Sequence, residues 1–131
     1  LESGADAALA SRGLGQEKVR QHWLRRGMGR TFNRLIRLTL PAGFKDTQCG
    51  FKAFSPAAVR AILSMSRLSG FAYDVEWIMI CLRNGLRVRE LPVTWHHVEA
   101  SRVHLVKDSL RMLRDLLRIA WNDRRGAYAP V

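Results

Sequence analysis

Apolar residues change their spacing from one stretch of this chain to the next, and the order of those spacings admits one class of fold. Residues 5–12 (ADAALASR) read as a short strand of small residues, buried on both faces. Over 17–40, Trp23, Met28, Phe32, Leu35, Ile36 and Leu40 recur at three- and four-residue steps, a helix closed by Pro41-Ala42-Gly43. Residues 45–55 read as loop and strand, with Gly50 expected to mark a close backbone approach. Ser55-Pro56 supplies an N-cap and a first-turn proline for a helix reaching about Met65 on Ala58 and Ile62. Another helix starts around Asp74-Val75-Glu76 and runs through Trp77, Ile80 and Cys81 to a capping pair, Asn84-Gly85. Residues 86–95 place Leu86, Val88 and Glu90 opposite Arg87, Arg89 and Leu91, a half-buried strand in which Pro92 points to an edge or a bulge. Residues 103–121 form an amphipathic helix, with Val106, Leu110, Leu113, Leu117 and Ala120 on one side and Lys107, Arg111, Arg114 and Arg118 on another. The tail from Asn122 reads as frayed.

Strand–helix–strand–helix–helix–strand–helix is an α/β layer. About three strands make a narrow sheet, and Leu1-Glu2-Ser3-Gly4 reads as the last turn of a helix. The expectation is therefore the C-terminal part of a larger domain: 1–102 as an incomplete sheet flanked by helices, and 103–131 as a basic amphipathic helix and tail. A length of 131 residues with 47% hydrophobic composition supports a packed core and excludes a disordered polymer. Cys49 and Cys81 give neither a disulfide framework nor a zinc site, and read as buried small hydrophobes. His96 and His97 are adjacent on a strand end and point oppositely, which argues against a shared metal. No run reaches the roughly 18 apolar residues of a membrane span. Arg12-Gly13-Leu14-Gly15 is too short for a phosphate loop, so a nucleotide site is expected to lie mostly before residue 1.

The net charge of +11 predicts an anionic partner: nucleic acid, lipid headgroup or phosphorylated substrate. The excess sits in two segments, +7 over 12–37 and +4 over 102–125, around a nearly balanced middle. The plain alternative is two solvated helix faces. A nucleic-acid module would use the same basic helices, but helix-turn-helix spacing, a zinc finger and RNA-binding aromatics are all lacking, so nucleic acid is not the expected partner.

The densest polar cluster is Asp46-Thr47-Gln48-Cys49-Gly50-Phe51-Lys52. An aspartate here either caps turn amides or orients hydrogen bonds at a sugar or a phosphate. DTQCGFKAF (46–54), FAYDVE (71–76), ELPVTW (90–95) and Ser101-Arg102-Val103, in that order, resemble the C-terminal half of polyprenyl-phosphate glycosyltransferases of glycosyltransferase family 2, nearest their dolichyl-phosphate β-glucosyltransferase branch. Ala10-Ser11-Arg12 resembles the family's strand-end Gly-Ser-Arg with Ala in place of Gly.

The resemblance implies a GT-A fold, a divalent metal (Mg or Mn), a nucleotide-sugar donor such as UDP-glucose and a polyprenyl-phosphate acceptor, with inversion. The metal-binding acidic motif is expected upstream, with no metal ligands in this chain, so the chain alone is expected to be inactive. The resemblance also implies residue roles. Asp46 matches the proposed catalytic aspartate. Arg12 and Arg26 match acceptor-phosphate arginines, and Arg30 is a further candidate or a solvated position. Gln48, Lys52, Asp74, Glu76, Ser101 and Arg102 are candidates for substrate or donor contacts. For Lys52 an exposed strand cation is the alternative, and for Asp74 and Glu76 a charge at a helix start. An isoprenoid acceptor further implies work at a membrane, on its cytoplasmic face, with helix 103–121 lying on the surface or packing its apolar stripe against the sheet. Trp121 suits a membrane interface. A lipid-binding adaptor without catalysis is the second reading.

Overall fold

A computed structural model of the chain describes residues 4–11, 23–40, 43–94 and 105–130; within these, the side chains of 23–29, Asn33 and Leu105 are not described. The elements run β1 (Ala7–Ser11), α1 (Trp23–Thr39), β2 (Lys52–Phe54), α2 (Pro56–Met65), α3 (Tyr73–Arg83), β3 (Val88–Pro92) and α4 (Leu105–Arg124). The sheet has the order β2-β1-β3, with β1 antiparallel to β2 and parallel to β3. This is a mixed α/β arrangement, an open three-stranded sheet flanked by helices, consistent with part of a GT-A fold.

Local chemistry explains the boundaries. The Ser55 hydroxyl accepts from the Ala58 amide at 3.2 Å, and Pro56 occupies the first turn of α2, where its missing N–H costs nothing. α3 ends as its sequence predicts: Gly85 has φ +68°, and the Leu86 amide reaches back to the Cys81 carbonyl at 2.9 Å. Asp6 ties the end of β2 to the start of β3, its main-chain oxygen accepting from the Ser55 amide at 2.7 Å and its carboxylate from the Arg87 amide at 2.9 Å. Pro92 lies on β3, an edge of the described sheet, where proline's lack of a donor is tolerated.

The core is one cluster. β1 contributes Ala7 and Leu9; α3 contributes Val75, Ile78, Met79, Ile80 and Cys81, all fully buried. Ile36 of α1, Leu40 just after it, and Met112, Leu116 and Ile119 of α4 close it.

Two expectations are corrected, and of the two readings of helix 103–121 the stripe packed against the sheet is not observed. The stripe Val106, Leu110, Leu113, Leu117 does not pack on the rest of the described chain: α4 buries Met112, Asp115, Leu116 and Ile119, while Val106, Leu110 and Leu117 are each more than 60% exposed. The helix carries two apolar stripes, and the one with Met112, Leu116 and Ile119 is the one buried in the core. The tail is not frayed, because α4 continues to Arg124 and Tyr128 beyond it is fully buried. Its hydroxyl donates to Glu76 Oε1 at 2.8 Å. Finally, Gly50 faces open space, and the close approach is at Gly70, where an added Cβ would lie 2.5 Å from Asp115 Oδ2.

Candidate active site

Residues paired across neighbouring strands share a face of the sheet. Phe54, Ala7 and Val88 form one such row beneath the helices. The next row toward the carboxyl end of β1 is Lys52, Leu9 and Glu90, so a cation and a carboxylate flank one buried leucine. Beyond it comes Ser11, fully buried. In open sheets the carboxyl ends of parallel strands are where ligands bind.

The loop 43–51 covers this end. Glu90 Oε1 accepts from two consecutive amides, Lys45 N and Asp46 N, each at 2.8 Å. The Asp46 side chain in turn accepts from the Gln48 amide at 3.2 Å, the turn-capping contact that the sequence allows, and Asp46 is 9% exposed. The Gln48 side chain donates to the Phe71 carbonyl at 3.5 Å. The Lys52 ammonium pairs with Asp74 Oδ2 at 3.0 Å and also donates to the Cys49 carbonyl. Both side chains of that ion pair are more than nine-tenths buried, so Lys52 is not the exposed strand cation considered from sequence. Asp74 lies in the first turn of α3, where a carboxylate meets the positive end of the helix dipole. Its negative charge raises the pKa of the adjacent Tyr73 phenol, with burial adding to the rise. Ser11 Oγ, Thr47 Oγ1 and Asp74 Oδ1 are buried without a hydrogen-bond partner among the described residues.

Asp46, Gln48, Lys52 and Asp74 are thus tied together, by direct contacts or through the short loop they share. Glu76 is a correction. Fully buried, it accepts from Ser66 Oγ, from the Arg67 and Leu68 amides and from the Tyr128 hydroxyl. Four donors occupy both oxygens, so Glu76 anchors the fold rather than contacting a substrate. Arg30 is exposed on α1 with Arg34 and Arg37. Arg12, Ser101 and Arg102 lie outside the described residues, as do Trp95, His96 and His97, and Arg26 is described only as backbone within α1. Among the described residues no three His, Cys, Asp or Glu side chains come together to hold a metal ion.

The sequence reading missed Glu90 as a site residue. The signal was present, because Glu90 falls on the same alternating positions as Leu86 and Val88, where a lone carboxylate needs partners.

No family model and no solved structure matches the chain. Curated relatives do. The chain is 35% identical over 97 residues to the dolichyl-phosphate beta-glucosyltransferase of Saccharomyces cerevisiae, covering 74% of this chain and 29% of that protein. It is 38% identical over 117 residues to glycosyltransferase AglD of Haloferax volcanii, covering 88% of this chain and 19% of that protein. With the human dolichyl-phosphate beta-glucosyltransferase it shares 32% identity over 97 residues, 74% of this chain and 30% of the relative. The chain therefore spans about a third or less of the length of these three relatives.

Proposed function

We propose, from the premise that this chain belongs to the polyprenyl-phosphate glycosyltransferases of family 2 and spans part of one, that the full-length protein transfers glucose from UDP-glucose to a dolichyl or other polyprenyl phosphate. One observation carries the reading. Residues 46–54, 71–76 and 90–94, far apart in sequence, meet near the carboxyl end of β1 through Glu90–Asp46, Gln48–Phe71 and Lys52–Asp74.

In this proposal an acceptor phosphate oxygen attacks the anomeric carbon of the sugar from the face opposite the leaving group. The bond to the nucleotide diphosphate breaks, the diphosphate leaves with the electron pair, and configuration inverts. A phosphate monoester is already ionised at neutral pH, its second pKa being about 6, so the nucleophile needs no strong base. Asp46 then serves to orient the sugar or to stabilise positive charge developing on its ring. The larger obstacle is bringing two anions together: multiply charged groups roughly 5 Å apart repel by more than about 1 kcal/mol even at the dielectric of water. Arg12 and Arg26 are the proposed acceptor-phosphate ligands, since guanidinium forks lower that cost by paired hydrogen bonds. Ser101 and Arg102 are proposed donor contacts. A divalent cation, Mg or Mn, is in this proposal held by residues that the chain does not contain.

An isoprenoid acceptor brings the protein to a membrane, on the cytoplasmic side in this reading. Support comes from α4, whose exposed Val106, Leu110, Leu113, Leu117 and Trp121 lie beside Lys107, Arg111, Arg114 and Arg118 on the face turned from the core. No helix of the described residues is long and apolar enough to cross a membrane.

The test is Asp46→Asn in the full-length protein, assayed for transfer from UDP-glucose to dolichyl phosphate. Loss of transfer with retained acceptor binding is expected. Undiminished transfer removes Asp46 from the chemistry, and absence of transfer in the unaltered protein, with lipid binding intact, would favour a lipid-surface adaptor.

A further inference from the structure

We infer that Glu90 is a positioning residue for the reaction: it holds the Asp46 loop against β3 and so sets where the Asp46 carboxylate sits. The inference rests on the glycosyl-transfer reading of Asp46. Its basis is geometric. A single oxygen, Glu90 Oε1, accepts from both Lys45 N and Asp46 N at 2.8 Å, across 45 and 44 residues of sequence. Two amides converging on one acceptor fix the direction of the backbone as well as its distance. The strand beneath is equally fixed, since Glu90 is paired with Leu9 in the middle of the five-residue β1–β3 ladder. From the Asp46 amide the constraint passes to the Asp46 side chain, which is turned back to accept from Gln48 N at 3.2 Å. Strand register thus reaches the reactive carboxylate through Glu90.

A glutamate is otherwise a poor choice at this position. Acidic residues are depleted in strands, and Glu90 is half-buried on the row that also carries Leu9. Its length is what the site uses, because only a side chain that reaches out from the strand can meet amides of a separate loop. A displacement of about 1 Å at a reacting group costs up to about 100-fold in rate.

Three variants of the full-length protein separate positioning from a role of charge or of stability alone. Glu90→Gln keeps an oxygen acceptor at the same reach and removes the charge. Glu90→Asp keeps the charge and withdraws the acceptor by one methylene. Glu90→Ala removes both. Positioning predicts that Glu90→Gln retains kcat within about fivefold, whereas Glu90→Asp and Glu90→Ala lose about tenfold or more. KM for donor and acceptor should move less than about threefold in each. Hydrogen exchange at the Lys45 and Asp46 amides should accelerate in the Asp and Ala variants but not in Gln, a readout independent of activity.

If Glu90→Asp outperforms Glu90→Gln, charge rather than reach is what matters and the inference fails. It fails equally if kcat per folded molecule is unchanged in all three, since Glu90 would then serve stability alone. Asp46→Asn assayed in parallel separates the two levels: transfer retained there sinks the reading of Asp46, whereas transfer lost there but retained in Glu90→Ala sinks only the inference about Glu90.

Discussion

Replacing Tyr128 by Phe deletes one oxygen from the centre of the molecule and leaves the ring in place. In the native structure that oxygen donates to Glu76 Oε1 at 2.8 Å and accepts from Asn122 Nδ2 at 3.3 Å. Ring packing is retained, so no large cavity term arises. Two hydrogen bonds are lost; the stronger is to a carboxylate, a class that contributes about 1.5–3 kcal/mol, less whatever Glu76 recovers from its three remaining partners. A net destabilisation of about 2 kcal/mol is expected, a substantial part of the roughly 5–15 kcal/mol that holds a domain together. With a urea m-value of about 1–3 kcal/mol/M, the unfolding midpoint should fall by on the order of 1 M. Trp77 is a suitable fluorescent reporter, since its indole N–H donates to Ser66 Oγ at 3.2 Å and Ser66 donates onward to Glu76. The pH dependence supplies an independent check. Burial, foremost, together with the Glu76 hydrogen bond pushes the Tyr128 phenol above its ordinary value near 10. A raised folded-state pKa means a stabilising contribution fully present below about pH 10 and lost as pH rises through the folded value. Tyr128→Phe should therefore flatten the alkaline decline in stability. An unchanged midpoint, with the alkaline decline intact, would show that the segment after α4 is not docked on Glu76 and would refute the reasoning.

Other consequences are open to direct measurement. Lys52→Met leaves Asp74 buried without its cation and should destabilise by about 3 kcal/mol or more, while adding Asp74→Asn should recover part of that loss in a double-mutant cycle read by urea melts. Gly70→Ala should cost about 1–3 kcal/mol, because its Cβ would lie 2.5 Å from the buried Asp115 carboxylate, whereas Gly50→Ala, facing open space, should change the melt little. Leu110→Glu with Leu117→Glu should abolish flotation of the protein with anionic liposomes and leave its thermal melt in place; undiminished flotation would remove α4 from membrane contact. Stability should also fall between about pH 9 and 11, where burial pushes the Cys81 thiol up to about 11, and the part due to Cys81 should vanish in Cys81→Ala.

What was legible in the sequence was whatever depends on neighbours along the chain. The α2 N-cap, the Asn84-Gly85 stop and the turn at Asp46 each involve groups within a few residues of one another, and each was readable. α4 shows where such reading stops. Met112, Leu116 and Ile119 repeat at helical spacing as well as Leu110, Leu113 and Leu117 do, and at 3.6 residues per turn the two stripes lie on different sides of the helix. Periodicity says that a face is apolar, not which partner it meets; in the fold it is Met112, Leu116 and Ile119 that join the core. Tyr128 was unreadable for the same reason, as a lone aromatic after Gly126 whose partner lies 52 residues earlier.

The candidate site combines both kinds of information. Each motif string holds one half of a contact: Asp46 without Glu90 is a turn, Lys52 without Asp74 a surface cation, Glu90 without the loop an awkward strand residue. The halves meet only in the folded sheet, where Glu90 of β3 reaches the Asp46 loop and Lys52 of β2 reaches Asp74 of α3. That is also why Glu76 misled. It stands two residues from Asp74 in the same string, but successive helical positions differ by about 100°, so two residues turn a side chain some 200° about the axis. Asp74 faces Lys52, and Glu76 faces Tyr128. A motif that reads as one acidic pair is divided by helix geometry between the site and the core.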